Sequence, residues 1–228
     1  MNKNNSCHTT ADTASTLCAD SCKVQHLAAK RALDILFSLS VMILLSPVYL
    51  LIALIIRLSS DGKAIYYQMR IGRGGIPFRC YKFRTMYQNA ETILQEILAN
   101  DLEKQKEWEE SHKLKNDPRV TTIGAFLRKS SLDELPQFWN VLKGDLSVVG
   151  PRPVVDEEIT KHFGKKAEKI FSIRPGITGL WQISGRSDTS YTTRVTLDEY
   201  YVENRNMLID LKIIALTIPS IILKKGAY

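Results

Sequence analysis

The chain has 228 residues, 44% hydrophobic and 24% charged, ordinary globular values that exclude wholesale disorder and collagen-like repeats. A mean hydropathy of −0.13 excludes a protein built chiefly of membrane spans. Lys and Arg number 31 against 24 Asp and Glu, a formal charge of +7. That excess points to anionic partners (nucleic acid, phosphorylated small molecules or an acidic membrane surface) without choosing among them.

Residues 1–22 are mostly Asn, Ser, Thr, Ala and Asp without hydrophobic periodicity, and residues 1–27 read as a disordered tail. No basic segment followed by an apolar core is present, so the tail is not a signal peptide. Cys7, Cys18 and Cys22 lie here with His8 and His26 nearby, while Cys80 stands alone in the body. No second pair follows Cys18-x3-Cys22 at a zinc-ribbon or finger distance, so a reduced tail is favoured over a metal site.

The next segment, residues 28–60, holds 22 consecutive uncharged residues from Ile35 to Ile56. As a straight helix they would span about 33 Å, enough for a bilayer core of about 30 Å. Ser46-Pro47 sits at the middle, where proline removes a backbone hydrogen bond and bends a helix. Both flanks are basic: Lys23, Lys30 and Arg31 before, Arg57, Lys63, Arg70 and Arg73 after. The positive-inside rule is satisfied if both ends stay on the cytoplasmic side. The expectation is a re-entrant helix that enters, breaks at Ser46-Pro47 and returns. A kinked ordinary crossing is the alternative.

Residues 61–228 read as one domain. Two β-like runs flank Gly72-Arg73-Gly74-Gly75, a hairpin; with no Gly-Lys-Ser/Thr after them, the glycines are not a phosphate loop. Alternation on the second strand places Phe78, Cys80, Lys82 and Arg84 on one face. Residues 90–115 predict one exposed helix with Leu94, Ile97, Leu98 and Leu102 as its apolar stripe, ended by Asn116-Asp117-Pro118. The apolar stretch Leu208–Leu223 contains Asp210, Lys212 and Pro219, which suits an interfacial helix or one packed on the membrane segment.

The densest stretch runs from Arg128 to Pro153. Pro136 is tolerated only in a helix's first turn, placing a helix start near Leu132 or Asp133. Asp133 and Glu134 then lie at the positive end of a helix, just after Arg128 and Lys129. In isolation Ser131-x-x-Glu134 also reads as a capping box. Adjacent helical residues point about 100° apart, so the pair suits a glycosidase's flanking carboxylates badly. A single carboxylate nucleophile, kept ionised by helix amides and nearby cations, is chemically sensible, with phosphorus as its electrophile. Further arginines stand beside rigid turns: Arg152 between Pro151 and Pro153, Arg174 before Pro175-Gly176, and Arg186 after Gly185.

The motifs KRALDI, YKFRTM, SLDELPQ, LKGDLSVVGPRP, RPGITGLWQISGR and DLKII, together with the apolar run and its Ser-Pro, occur in order from about Lys30 to the C-terminus. In this the chain resembles the bacterial sugar transferase family, the monotopic polyprenyl-phosphate phosphoglycosyl transferases, most closely its short exopolysaccharide-initiating members. The resemblance implies an α+β fold: a re-entrant membrane helical hairpin, a small cytosolic mixed α/β catalytic domain and interfacial amphipathic helices. It implies transfer of a hexose-1-phosphate from UDP-galactose or UDP-glucose to undecaprenyl phosphate at the cytoplasmic face of a bacterial inner membrane, releasing UMP. Asp133 falls on the family's nucleophile, which forms a covalent phosphosugar, and Glu134 on the second member of its dyad. Lys82, Arg84, Arg128, Arg152 and Arg174 fall on substrate- and phosphate-binding positions. Magnesium is the implied cofactor, with Asp133 its contact. The partners expected are UDP-hexose, undecaprenyl phosphate and membrane lipid, and no nucleic acid; a homo-oligomer is left open. The chain is expected to be the compact form, without the extra N-terminal membrane bundle and nucleotide-like domain of longer members. The alternative from another class is a membrane-attached basic binding protein, whose cations would form a continuous stripe with stacking aromatics.

Overall fold

The computed structural model describes residues 9–111, 114–184 and 189–222. Cys7, His8 and Arg186 lie outside them, as do the side chains of Cys18, Cys22 and His26. Helix α1 runs Thr9–Leu44 and α2 Ser46–Ser59. The first helix therefore starts inside the segment that composition reads as a disordered tail: between Thr9 and Leu44 there is neither Gly nor Pro to stop it. The break falls at Leu45. Pro47, in the first turn of α2, has no amide hydrogen to give, and Ser46 Oγ donates to the Ile43 carbonyl at 2.8 Å. The axes bend by 61° there. Among the described residues no single helix is long and apolar enough to cross a membrane, but this bent pair is so by length and composition.

α2 turns Ile52 and Ile56 inward against Phe83, Leu127 and Leu135 and leaves Leu50, Leu51, Leu54 and Leu58 exposed. Strands β1 (Ile65–Ile71) and β2 (Pro77–Phe83) form an antiparallel hairpin through a turn at Arg73–Gly75. Gly74 and Gly75 take φ of 69° and 77° in that turn, a region open to glycine at little cost. Where the sequence predicts one helix over residues 90–115 there are two, α3 (Ala90–Asn100) and α4 (Leu102–Ser111). Asp101 breaks them: its Oδ1 accepts from the amides of Glu103 and Lys104, both at 3.1 Å, and so caps α4. Leu94 is buried, but Leu102, placed in the predicted stripe, is exposed.

α5 (Thr122–Ser130) and α6 (Gln137–Lys143) bracket the carboxylate pair. After them come β3 (Ser147–Val149), α7 (Asp156–Glu158), α8 (Ala167–Ile170), β4 (Gly176–Thr178) and α9 (Leu180–Ile183). Two longer helices close the chain, α10 (Tyr191–Asn204) and α11 (Met207–Ile222). β3 and β4 pair in parallel. Val148, Val149, Tyr201 and Ile213 join Phe78, Cys80, Val141 and Leu146 in a core between hairpin, α6 and the last two helices. The fold is thus α+β, as expected.

α11 carries one feature its composition conceals. Asp210 is fully buried, and its Oδ2 lies 3.2 Å from Lys30 Nζ of α1. The same ammonium meets Asp34 Oδ1 at 3.0 Å. Asp34 also accepts from Ser147 Oγ and the Val148 amide, both at 3.0 Å, and Asp210 from the Tyr201 hydroxyl at 2.6 Å. α11 therefore packs on α1 through a hydrogen-bonded buried ion cluster, with Leu208 and Ile218 left outside.

Candidate active site

The carboxylate pair does not begin an α-helix. Ser131 ends α5 in the left-handed region at φ 57°, Leu132–Glu134 form a single 3₁₀ turn, and Pro136 stands at the N-cap of α6. A left-handed Ser131 makes no side-chain cap bond, so the capping box is not formed. Glu134 instead reaches β2, where its Oε1 meets Lys82 Nζ at 2.8 Å. Asp133 Oδ2 stands farther from the same ammonium, at 3.9 Å.

This difference separates the two acids electrostatically. Burial raises Asp133 to about 6 and Glu134's charge adds to the rise, outweighing Lys82, Arg128 and the residue's own amide. The sequence reading has helix amides and nearby cations keep Asp133 ionised; one 3₁₀ turn offers little dipole, so that role falls to Lys82 and Arg128, working against desolvation. Burial pushes Glu134 upward too, but Lys82, Arg152 and Arg70 overcome it and hold it at about 2. At neutral pH both are anions. Asp133 is the one least stabilised as such.

The surrounding elements aim cations at the pair. Gly124 lets α5 lie against β2's continuation, since a Cβ there would collide with the Thr85 backbone. Arg128, in the last turn of α5, then donates from Nε to Thr85 Oγ1 at 2.9 Å and faces Asp133. Gly176 likewise touches Gly150, where any side chain would strike backbone. That contact sets Pro151–Pro153 beside Gly176 and Ile177, and Arg152 lines a cleft with Arg70, Lys82, Glu134 and Gln137. Trp181 carries the Arg152 guanidinium at 5.6 Å and that of Arg194 at 4.7 Å from its ring centroid. Cys80 also lines the cleft, and burial pushes its thiol up, so it stays neutral.

Of the residues singled out in the sequence, Lys82, Arg128, Arg152, Asp133 and Glu134 converge. Arg84 and Arg174 do not. Arg84 leaves the strand face after Phe83 and fastens the turn after α2, donating to the Ser60 carbonyl at 2.8 Å and to the Asp61 carbonyl. Arg174 donates to the Gly144 carbonyl at 2.8 Å at the C-terminal end of α6, beside Arg31 and Arg73. Carbonyls left over at a turn and a helix end attract guanidinium there.

Two residues of the cleft region escaped the sequence reading. Arg70 pairs with Phe78 in register, on the strand face that carries Lys82, and Glu158 Oε1 meets it at 3.3 Å. Its signal is alternation across the hairpin, counted from Lys82. Asp198, 3% exposed, accepts from the Arg152 amide while its Oδ1 has no partner, and burial raises it to about 8. Nothing around it in the sequence marks it.

A buried, loosely paired carboxylate, Asp133, stands beside Glu134, which lines a cleft with Arg70, Lys82 and Arg152, cations of the kind that bind phosphate oxygens. The family model for bacterial sugar transferases matches residues 25–224, and the chain belongs to that family. It is 46% identical over 200 residues to the exopolysaccharide production protein ExoY of Sinorhizobium fredii, covering 88% of each chain. It is 48% identical to an undecaprenyl-phosphate galactose phosphotransferase of Salmonella typhimurium, across 87% of this chain and 41% of that one. A UDP-glucose:undecaprenyl-phosphate glucose-1-phosphate transferase of Escherichia coli is 39% identical, across 87% and 41%. The chain thus spans under half the length of the latter two.

Proposed function

We propose that this chain transfers a hexose-1-phosphate from UDP-galactose or UDP-glucose to undecaprenyl phosphate, the first membrane step of exopolysaccharide or related glycan assembly. The observation that carries the reading is the inequality within the dyad: Glu134 is locked to Lys82 at 2.8 Å, while Asp133 is buried, 3.9 Å away and poised near pH 6. An Asp133 oxygen attacks the sugar-bearing β-phosphorus, the bond to the α-phosphate oxygen breaks, and UMP leaves. A lipid phosphate oxygen then attacks the same phosphorus and the carboxylate is released. Arg152, Arg70 and Lys82 bind and orient the phosphates, and Arg128 steadies the Asp133 anion. The donor set suits magnesium, which takes one or two carboxylates plus substrate phosphates. Asp133 would hold it, since Glu134 is engaged by Lys82, and the ion would neutralise phosphate charge. The test is two-step kinetics: UMP should form from UDP-sugar before any lipid is added, and a β-³²P-labelled UDP-sugar should leave label on wild-type protein but not on Asp133→Asn. Transfer that demands both substrates together would replace this scheme with direct attack by the lipid.

We further propose that α1–α2 is a re-entrant hairpin in the inner membrane with the catalytic domain on the cytoplasmic face. The 61° bend, the exposed leucines of α2 and the two basic flanks support it. Cysteines placed at Leu27, exposed one turn before the Lys30 cluster, and at Lys63 should label from the same side; labelling from opposite sides would make α1–α2 a through-span.

A further inference from the structure

Away from the dyad, a cleft of about 480 Å³ opens between the end of α2 and the start of β1, lined by Ala53, Leu54, Arg57, Lys63, Ala64 and Ile65. It has two chemical halves, a hydrocarbon floor and a cationic mouth. Arg57 and Lys63 are exposed, and among the described residues neither has a hydrogen bond or ion pair within the protein. Arg70, Lys82 and Arg128 around the dyad differ, for all three meet protein acceptors. Two uncompensated like charges over an apolar floor complement an anion carried on a hydrocarbon chain. The floor also continues outward: Leu50, Leu51, Leu54 and Leu58 form exposed apolar surface along α2, a track for a chain longer than the cleft. Behind the cleft, Ala64 packs with Phe83 and Leu135, which adjoin Lys82 and Glu134 in sequence.

From this arrangement we infer that the cleft is the entry site of the acceptor, a long-chain isoprenoid phosphate, with the phosphate between Arg57 and Lys63 and the first isoprene units over Ala53 and Leu54. The inference rests on the transferase reading above. Because the cleft's lining does not include the dyad, the site governs capture and not the chemical step.

The test uses the full chain in nanodiscs, with Arg57→Glu/Lys63→Glu beside wild type. The KM for undecaprenyl phosphate should rise at least tenfold in the variant, while kcat at saturating lipid, the KM for UDP-sugar and lipid-independent UMP release stay within twofold. Ala53→Trp, which fills the floor and keeps both charges, should raise the KM for undecaprenyl phosphate more than that for a short farnesyl phosphate. An unchanged lipid KM overturns the inference, and so does an equal fall in UMP release. Bulk phospholipid is the rival source of phosphate: a variant that leaves phosphatidylglycerol vesicles yet transfers normally per bound molecule would give the cleft to the membrane itself. Equilibrium binding of radiolabelled undecaprenyl phosphate separates the two readings. A wild type that binds the lipid through Arg57 and Lys63 but forms no UMP sinks the transferase reading alone.

Discussion

Lys30 and Lys82 each stand between two carboxylates, one at the α1–α11 junction and the other at the candidate active site. Around Lys30 the acids are nearly equidistant, at 3.0 and 3.2 Å, and almost wholly buried, and Ser147, the Val148 amide and Tyr201 supply them with further donors. Around Lys82 the distances are 2.8 and 3.9 Å, and its ammonium side chain is 24% exposed. Buried charges hold a fold together only when their remaining valences are met. The Lys30 cluster meets most of them, Asp210 Oδ2 having the Lys30 ammonium alone, and is structural. The Lys82 cluster leaves Asp133 short, and in the proposed mechanism that shortfall keeps an oxygen available to react.

The contrast breaks first at Asp133. Asp133→Asn should lower hexose-phosphate transfer by at least about 10³-fold, ~4 kcal/mol in the barrier, with the circular dichroism spectrum unchanged. Residual activity near wild type would make both clusters structural. Lys30→Met should act in the opposite way, leaving two buried carboxylates without their cation. Thermal unfolding in detergent should then show a loss of about 3–5 kcal/mol, and the fraction that stays folded should still form UMP. Arg152→Lys keeps the charge but loses the planar fork and the contact with Trp181. A fall in kcat/KM of about tenfold, or ~1.4 kcal/mol, is expected; normal turnover would show that a point charge suffices.

pH sharpens the comparison. With Asp133 near 6, kcat/KM should fall tenfold per pH unit below that value, while Glu134, near 2, stays ionised throughout. For stability the signs oppose. Asp133 is raised from 3.8, so its contribution is complete below about 3.8 and is lost as pH rises through 6. Glu134 is lowered from 4.5, so its contribution is present above 4.5 and lost as pH falls towards 2. Asp133→Asn should therefore be more stable than wild type at pH 8, by about 1–3 kcal/mol, with the gain shrinking by pH 4. Equal melting temperatures at both pH values would show that the carboxylate is not held at a disadvantage.

The sequence made the hairpin and the helix break legible because each rests on neighbours: alternation around glycines and a proline in an apolar run; the helix start it put at Asp133 lies instead at Gln137, after Pro136. What it hid depends on distant partners. Arg84 and Arg174 occupy the same kinds of motif as Lys82 and Arg152, yet tertiary packing brings them to the free carbonyls of Ser60 and Gly144. Asp210 reads as one polar residue in an apolar helix until Lys30 is seen against it. Asp101 looks like part of an exposed helix, and only its short side chain's reach to two amides makes it a break.

The Lys30–Asp210 contact also has a consequence in time. Its partners lie about 180 residues apart, so at 5–20 residues per second a ribosome makes Asp210 roughly 10–40 s after Lys30. Until then Asp34 lacks Ser147 and Val148 as well, and α1 must wait with its charges hydrated at its junction with the apolar run. The nascent protein is therefore completed from its last helix backward, and a chain stopped short of α11 lacks the latch that holds its first.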